Sequence, residues 1–82
     1  MSYRLKLPSE IRSRLRELPE ASRNAIGYGL FLLQENLSGD VKKLKGFKNR
    51  YRLRVGNYRV LFKLDKDVIV VYDFGDRKDI YR

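Results

Sequence analysis

Cysteine and histidine are both absent from the chain. Without them there is no disulfide staple, and no thiolate or imidazole to hold a zinc ion or to act as a nucleophile. No metal and no other cofactor is expected. Long apolar runs are missing too. Nothing approaches the roughly 20 residues needed to span a bilayer, and the opening stretch MSYRLKLPSEIR lacks the apolar core of a signal peptide. The expectation is a cytoplasmic protein with no membrane partner.

A third absence is local. Residues 41–63 hold nine basic side chains and no acidic one, whereas residues 1–40 carry six basic and five acidic groups and residues 64–82 carry four and five. The whole net charge of +9 therefore comes from 23 residues. Such a block generates a local positive field suited to a polyanion, with binding that falls steeply as salt rises because counterions are released. The plainer alternative is a solvated basic segment that aids solubility.

What is present fits one domain over residues 1–82, and a chain this short buries only about 60% of the surface that its unfolded form exposes. Tyr3, Leu5 and Leu7 alternate with Arg4 and Lys6, a short strand ended by Pro8. Ser9 offers a helix cap, and Ile11, Leu15 and Leu18 follow at helical spacing. Pro19 restarts the chain, and Ile26, Leu30, Leu33 and Leu37 hold a 3.6-residue period until Ser38-Gly39-Asp40. Gly27 and Gly29 weaken this second helix and open a route for close approach of another backbone. The rest reads as strands near 50–55, 58–64 and 68–74, with a short tail strand near 79–82. The expected fold is α+β: an N-terminal strand, a two-helix hairpin and an antiparallel meander of three or four strands, with the helices on one sheet face.

The hairpin YRLRVGNYRVLFK fixes a register. Glycine in first place of a Gly56-Asn57 loop permits the positive φ that such a turn requires. Val55 then faces Tyr58, Arg54 faces Arg59, Leu53 faces Val60, Arg52 faces Leu61, Tyr51 faces Phe62 and Arg50 faces Lys63. Tyr51, Leu53, Val55, Tyr58, Val60 and Phe62 form the apolar side. Arg50, Arg52, Arg54, Arg59 and Lys63 line the other with Leu61 among them. Like charges directly opposite cost a few tenths to about 1 kcal/mol per pair, so an anion is expected to offset Arg54 against Arg59 and Arg50 against Lys63. The fork of donors on arginine matches phosphate oxygens, and four arginines meet on this face without a carboxylate. For the next hairpin, a three-residue loop Asp65-Lys66-Asp67 pairs Val60 with Tyr72 and Arg59 with Asp73, with Val68, Val70, Tyr72 and Phe74 in the core. A two-residue loop inverts that strand. The first is expected.

The segments VKKLKGFKNRYRLRVGNYRVLFKL and VYDFGDRKDIYR resemble the RelE/ParE toxin superfamily, and within it the RelE-type ribosome-dependent messenger RNA endonucleases; strand, two helices and meander extend the likeness over the whole chain. The resemblance rests on an arginine just after the turn in G-x-Y-R, a second in G-x-R and a tyrosine near the C-terminus. It implies that Arg59 and Arg77 are catalytic arginines and Tyr81 the catalytic tyrosine. The expected RNA contacts are Arg50, Arg52, Arg54, Lys45, Lys48 and Lys63. Asp76 stands where many relatives carry lysine or histidine, and Asp73 lies two residues before the glycine; each is a possible modulator, as base or as neutraliser of an arginine.

The resemblance further implies metal-independent cutting of messenger RNA in the ribosomal decoding site, by 2′-OH attack on the adjacent phosphate. The implied partners are the ribosome with its message and a cognate acidic antitoxin. Leu30, Phe31 and Leu33 are candidate antitoxin docking positions, or core. Two alternatives stand beside this reading. One is a ParE-like toxin of DNA gyrase, whose relatives generally lack the paired arginines. The other is a non-catalytic RNA-binding module, which needs stacking aromatics on the basic face, whereas Tyr51 and Tyr58 point to the opposite one.

Overall fold

The computed structural model describes residues 2–76. The expected Arg77 and Tyr81 and the tail strand near 79–82 lie outside the described residues. In chain order the elements are β1 (Arg4–Lys6), α1 (Ser9–Arg16), α2 (Glu20–Asn36), β2 (Asp40–Lys43), β3 (Arg50–Val55), β4 (Tyr58–Asp65) and β5 (Val68–Asp76). The strands form one sheet in the order β1-β5-β4-β3-β2. β1 runs parallel to β5, and the other four are antiparallel neighbours. The α+β class with a four-stranded meander holds, although its fourth strand is β2, before the hairpin. Only Val41 in β2 is apolar, so this edge strand has no alternation to betray it.

Both helices begin at a proline. Pro8 and Pro19 occupy the cap positions, with no side-chain cap at either. Ser9 is the first helical residue rather than the cap expected of it. α2 ends where the Leu37 N–H donates to the Leu33 carbonyl at 2.7 Å and the Ser38 N–H to the Leu32 carbonyl at 3.3 Å. Leu37 takes a left-handed φ of 54°. Its side chain packs on the core, and that contact helps to offset the cost of the conformation.

Ile11, Ile26, Leu30 and Leu33 from the helices meet Leu53, Val60, Phe62, Ile69, Val71 and Phe74 from the sheet in one buried cluster. Full burial of each such side chain contributes about 1.5–3 kcal/mol. Leu30 and Leu33 are therefore core residues and not docking positions, while Phe31 is exposed beside Tyr28. Of the two helix glycines, Gly29 serves close approach: a Cβ there would lie 2.8 Å from Val55 Cγ2, whereas Gly27 faces open space.

The β3–β4 register is the expected one at all six pairs, from Val55–Tyr58 to Arg50–Lys63, with Gly56 at φ 58°. β4–β5 differs. Its loop is two residues, Lys66-Asp67, with Asp65 opposite Val68 and Lys66 at φ 57°. Ile69 and Val71 consequently fill the core in place of Val68 and Val70. A register shift between Leu61 and Phe62 leaves Tyr72 opposite no β4 residue and returns Phe74 to the core. Arg59 faces Gly75, not Asp73.

Candidate functional site

The sheet face turned away from the helices receives alternate residues of β3 and β4, because successive side chains of a strand point to opposite sides. Arg52 from β3 and Arg59 from β4 meet there with Lys42 and Lys43 of β2 and with Leu44 and Lys45 of the following loop, lining a cleft of about 340 Å³. Five of its six lining residues are basic and come from three adjacent strands and one loop, with Lys42 opposite Arg52 and Lys43 opposite Tyr51 of the other face. Both arginines are buried, at 8% and 6% exposure. Charged groups are costly to remove from water, so a pair of guanidiniums in a lysine-lined cleft is a site preorganised for an anion of matching shape. A shallow groove of about 360 Å³ at the opposite edge of the sheet, lined by Arg4, Leu5, Lys6 and Val68, has no such pair.

The arginine row is not free of carboxylate. Asp40, at the start of β2, stands across from Arg54. Its Oδ2 accepts from Arg54 Nε at 2.8 Å, its Oδ1 accepts from Arg52 Nη1 at 3.3 Å, and its carbonyl accepts from the same nitrogen at 3.1 Å. The Arg54 hydrogen bond, joined by that of Arg52, holds the Asp40 carboxyl below its usual range. One carboxylate thus offsets the repulsion between the opposed Arg54 and Arg59 and pins the Arg52 side chain. Sequence reading missed Asp40 because it lies one residue before the acid-free block. Lys42 and Lys43 were missed with β2 itself.

The remaining expected residues spread out. Lys45 lines the cleft, whereas Lys48 is exposed on the same loop and Lys63 pairs with Arg50. Arg54 is held by Asp40 outside the cleft lining. Arg50 places its guanidinium over the Phe47 ring at 5.0 Å and over the Tyr72 ring at 4.9 Å. Aromatic rings therefore do accompany the basic side chains, supplied by a loop and by the bulge in β5. Asp73 is engaged by α1: Arg14 Nη1 donates to its Oδ1 at 2.9 Å, and Arg14 Nη2 donates to the Phe74 carbonyl at 2.6 Å. Asp76 ends β5 opposite Tyr58.

Comparison with known proteins gives a consistent picture. The family model for the ParE toxin of type II toxin-antitoxin systems, parDE, matches residues 4–81. Toxin RelE3 of Methanocaldococcus jannaschii is 36% identical over 75 residues, 92% of this chain and 78% of that protein. Among solved structures, the RelB-RelE antitoxin-toxin complex from Methanococcus jannaschii contains a chain 31% identical, with a TM-score of 0.75, over 92% of this chain and 93% of that one. In the archaeal RelE-RelB complex from Pyrococcus horikoshii the corresponding values are 28%, 0.77, 96% and 99%.

Proposed function

Because the chain belongs to the RelE/ParE toxin superfamily, as a RelE-type toxin of a toxin-antitoxin system, we propose that it is a metal-independent endoribonuclease that cuts messenger RNA in the ribosomal decoding site. The observation that carries this reading is the convergence of buried Arg52 and Arg59 in a cleft otherwise lined by Lys42, Lys43, Leu44 and Lys45. The ribose 2′-oxygen attacks the adjacent phosphorus and loses its proton. The P–O5′ bond breaks, and the departing O5′ takes up a proton, leaving a 2′,3′-cyclic phosphate and a 5′-hydroxyl.

Negative charge grows on the phosphoryl oxygens at the pentavalent stage. Arg52 and Arg59 are the donors assigned to it; fixed donors aimed at developing charge are commonly the largest single contribution to such a rate. Arg77 is assigned to the same charge, and as a permanently charged group it works by electrostatics rather than by giving up its proton. Tyr81 is assigned to orient the 2′-hydroxyl, and Lys42 and Lys45 to hold flanking phosphates. Asp73 is tied to Arg14, and Asp76 is the nearer carboxylate to Arg77 in sequence. Positioning of the message by the ribosome completes the geometry.

The proposed partner is a cognate acidic antitoxin. The archaeal relatives were solved as toxin complexes with RelB, and a net charge of +9 favours an acidic cover for the basic face. The matching family description names ParE, which supports a second reading, a toxin of DNA gyrase. Induction of the protein alone in bacteria, followed by mapping of messenger RNA 5′ ends, separates the two. New ends inside translated codons that vanish with Arg59→Ala support the nuclease. Intact messages with damaged DNA support gyrase.

A further inference from the structure

Phe47 is out of place as a structural residue. It sits in the loop between β2 and β3 among Lys45, Lys48 and Arg50, and 51% of it faces solvent. The core uses none of it. What it does touch is the guanidinium of Arg50, which also lies over Tyr72. Rings and cation hold one another in place through cation–π attraction, so a flat, electron-rich surface is fixed at an exposed position.

That surface adjoins the cleft. Lys45, two residues before Phe47, lines it, and so does Arg52, two residues after Arg50 on the same strand. Two strand residues span about 6.6 Å, the reach of one extended nucleotide. Positively charged grooves accompanied by aromatic rings bind single strands by taking phosphates on the cations and bases on the rings.

We propose that Phe47, backed by Arg50 and Tyr72, is a stacking site for one unpaired nucleobase at the rim of the cleft that takes the phosphates. The assignment rests on the nucleic-acid reading of that cleft and adds to it a contact that phosphate attraction alone does not supply. The ring reads a π-face and not a base edge, so it accepts any of the four bases and prefers purines for their larger area.

The test needs no ribosome. Full-length protein is titrated against a fluorescent 2′-O-methyl RNA hexamer, which cannot be cut by 2′-OH attack, and against the same sugar-phosphate chain lacking its bases. The hexamer is expected to bind about tenfold more tightly than the abasic chain. Phe47→Ala and Phe47→Leu should both bring that ratio close to one while leaving the slope of affinity against salt unchanged, since the slope counts phosphate contacts. Phe47→Tyr should restore the ratio. Arg52→Ala should do the reverse, lowering the slope and sparing the ratio. A wild-type ratio of one, or a ratio that survives Phe47→Leu, overturns the stacking site. Messenger RNA cutting on ribosomes is scored separately: its absence with an intact base preference removes the nuclease reading alone, and its presence with no base preference removes the stacking site alone.

Discussion

The β3–β4 and β4–β5 hairpins share a strand and both turn on two residues, yet they do opposite things with their side chains. β3–β4 keeps strict alternation over six pairs, so its apolar residues other than Leu61 gather on the core side and its guanidiniums form one row. β4–β5 breaks alternation between Leu61 and Phe62. The break sends Phe74 to the core, sets Tyr72 against Arg50 and leaves Asp73 for Arg14 of α1. Regular pairing concentrates one kind of chemistry on a face, and a bulge mixes kinds by re-aiming individual side chains. The site depends on both.

The largest effect on this contrast comes from the residue that the hairpins have in common. Phe62 is fully buried, stacks on Tyr51 at 5.5 Å and pairs with β3 on one side and β5 on the other. Phe62→Ala should cost about 3–5 kcal/mol in urea unfolding, a large share of the stability of so small a domain.

The turns give a sharper comparison. Gly56 supplies positive φ at no steric cost, whereas Lys66 adopts φ 57° with a side chain attached. Gly56→Val should destabilise by about 1–2 kcal/mol, while Lys66→Gly should stabilise by up to about 1 kcal/mol, because relief of the left-handed strain outweighs the added freedom of the unfolded chain. Equal responses at the two loops would remove the distinction between them.

The smallest effect is at Asp40. Its carboxyl titrates below the ordinary 3.8 because Arg54, and after it Arg52, donate to the ionised form. A carboxyl with a lowered folded pKa contributes stability that is in full above its unfolded value and is lost as pH falls through the folded one. Asp40→Asn should therefore lower stability slightly at neutral pH, flatten the acid limb below about pH 4 by the same small amount, and tighten polyanion binding by releasing two guanidiniums.

Legibility in the sequence follows the same division. The β3–β4 register could be read to the residue because Gly56-Asn57 pins the turn and apolar residues alternate on both sides of it. Over Val68–Val70 the sequence pattern points the wrong face of β5 inward, since nothing in Asp65-Lys66-Asp67 announces a lysine in the left-handed region. Two compensating irregularities, the tighter loop and the bulge, brought Phe74 back to where simple alternation had placed it. β2 escaped notice because pairing with β3, not an apolar face, makes it a strand. The ion pair of Arg14 with Asp73 joins residues 59 apart, a contact that only the packing of α1 on β5 creates. Of the residues that the resemblance singled out, Arg52 and Arg59 come together in the cleft, and Arg50 and Arg54 are drawn to Phe47 and Asp40 instead.

At the centre of the account stands one phosphate gripped from two neighbouring strands. Single-turnover cutting of a message on programmed ribosomes by wild type, Arg52→Ala, Arg59→Ala and the double variant tests it directly. Arg59→Ala should slow cutting by about 10²–10³-fold, Arg52→Ala should slow it measurably, and the double variant should lose clearly less than the product of the two, because partners on one group do not act independently. Losses that multiply, or an Arg59→Ala protein that cuts at the wild-type rate, would contradict it.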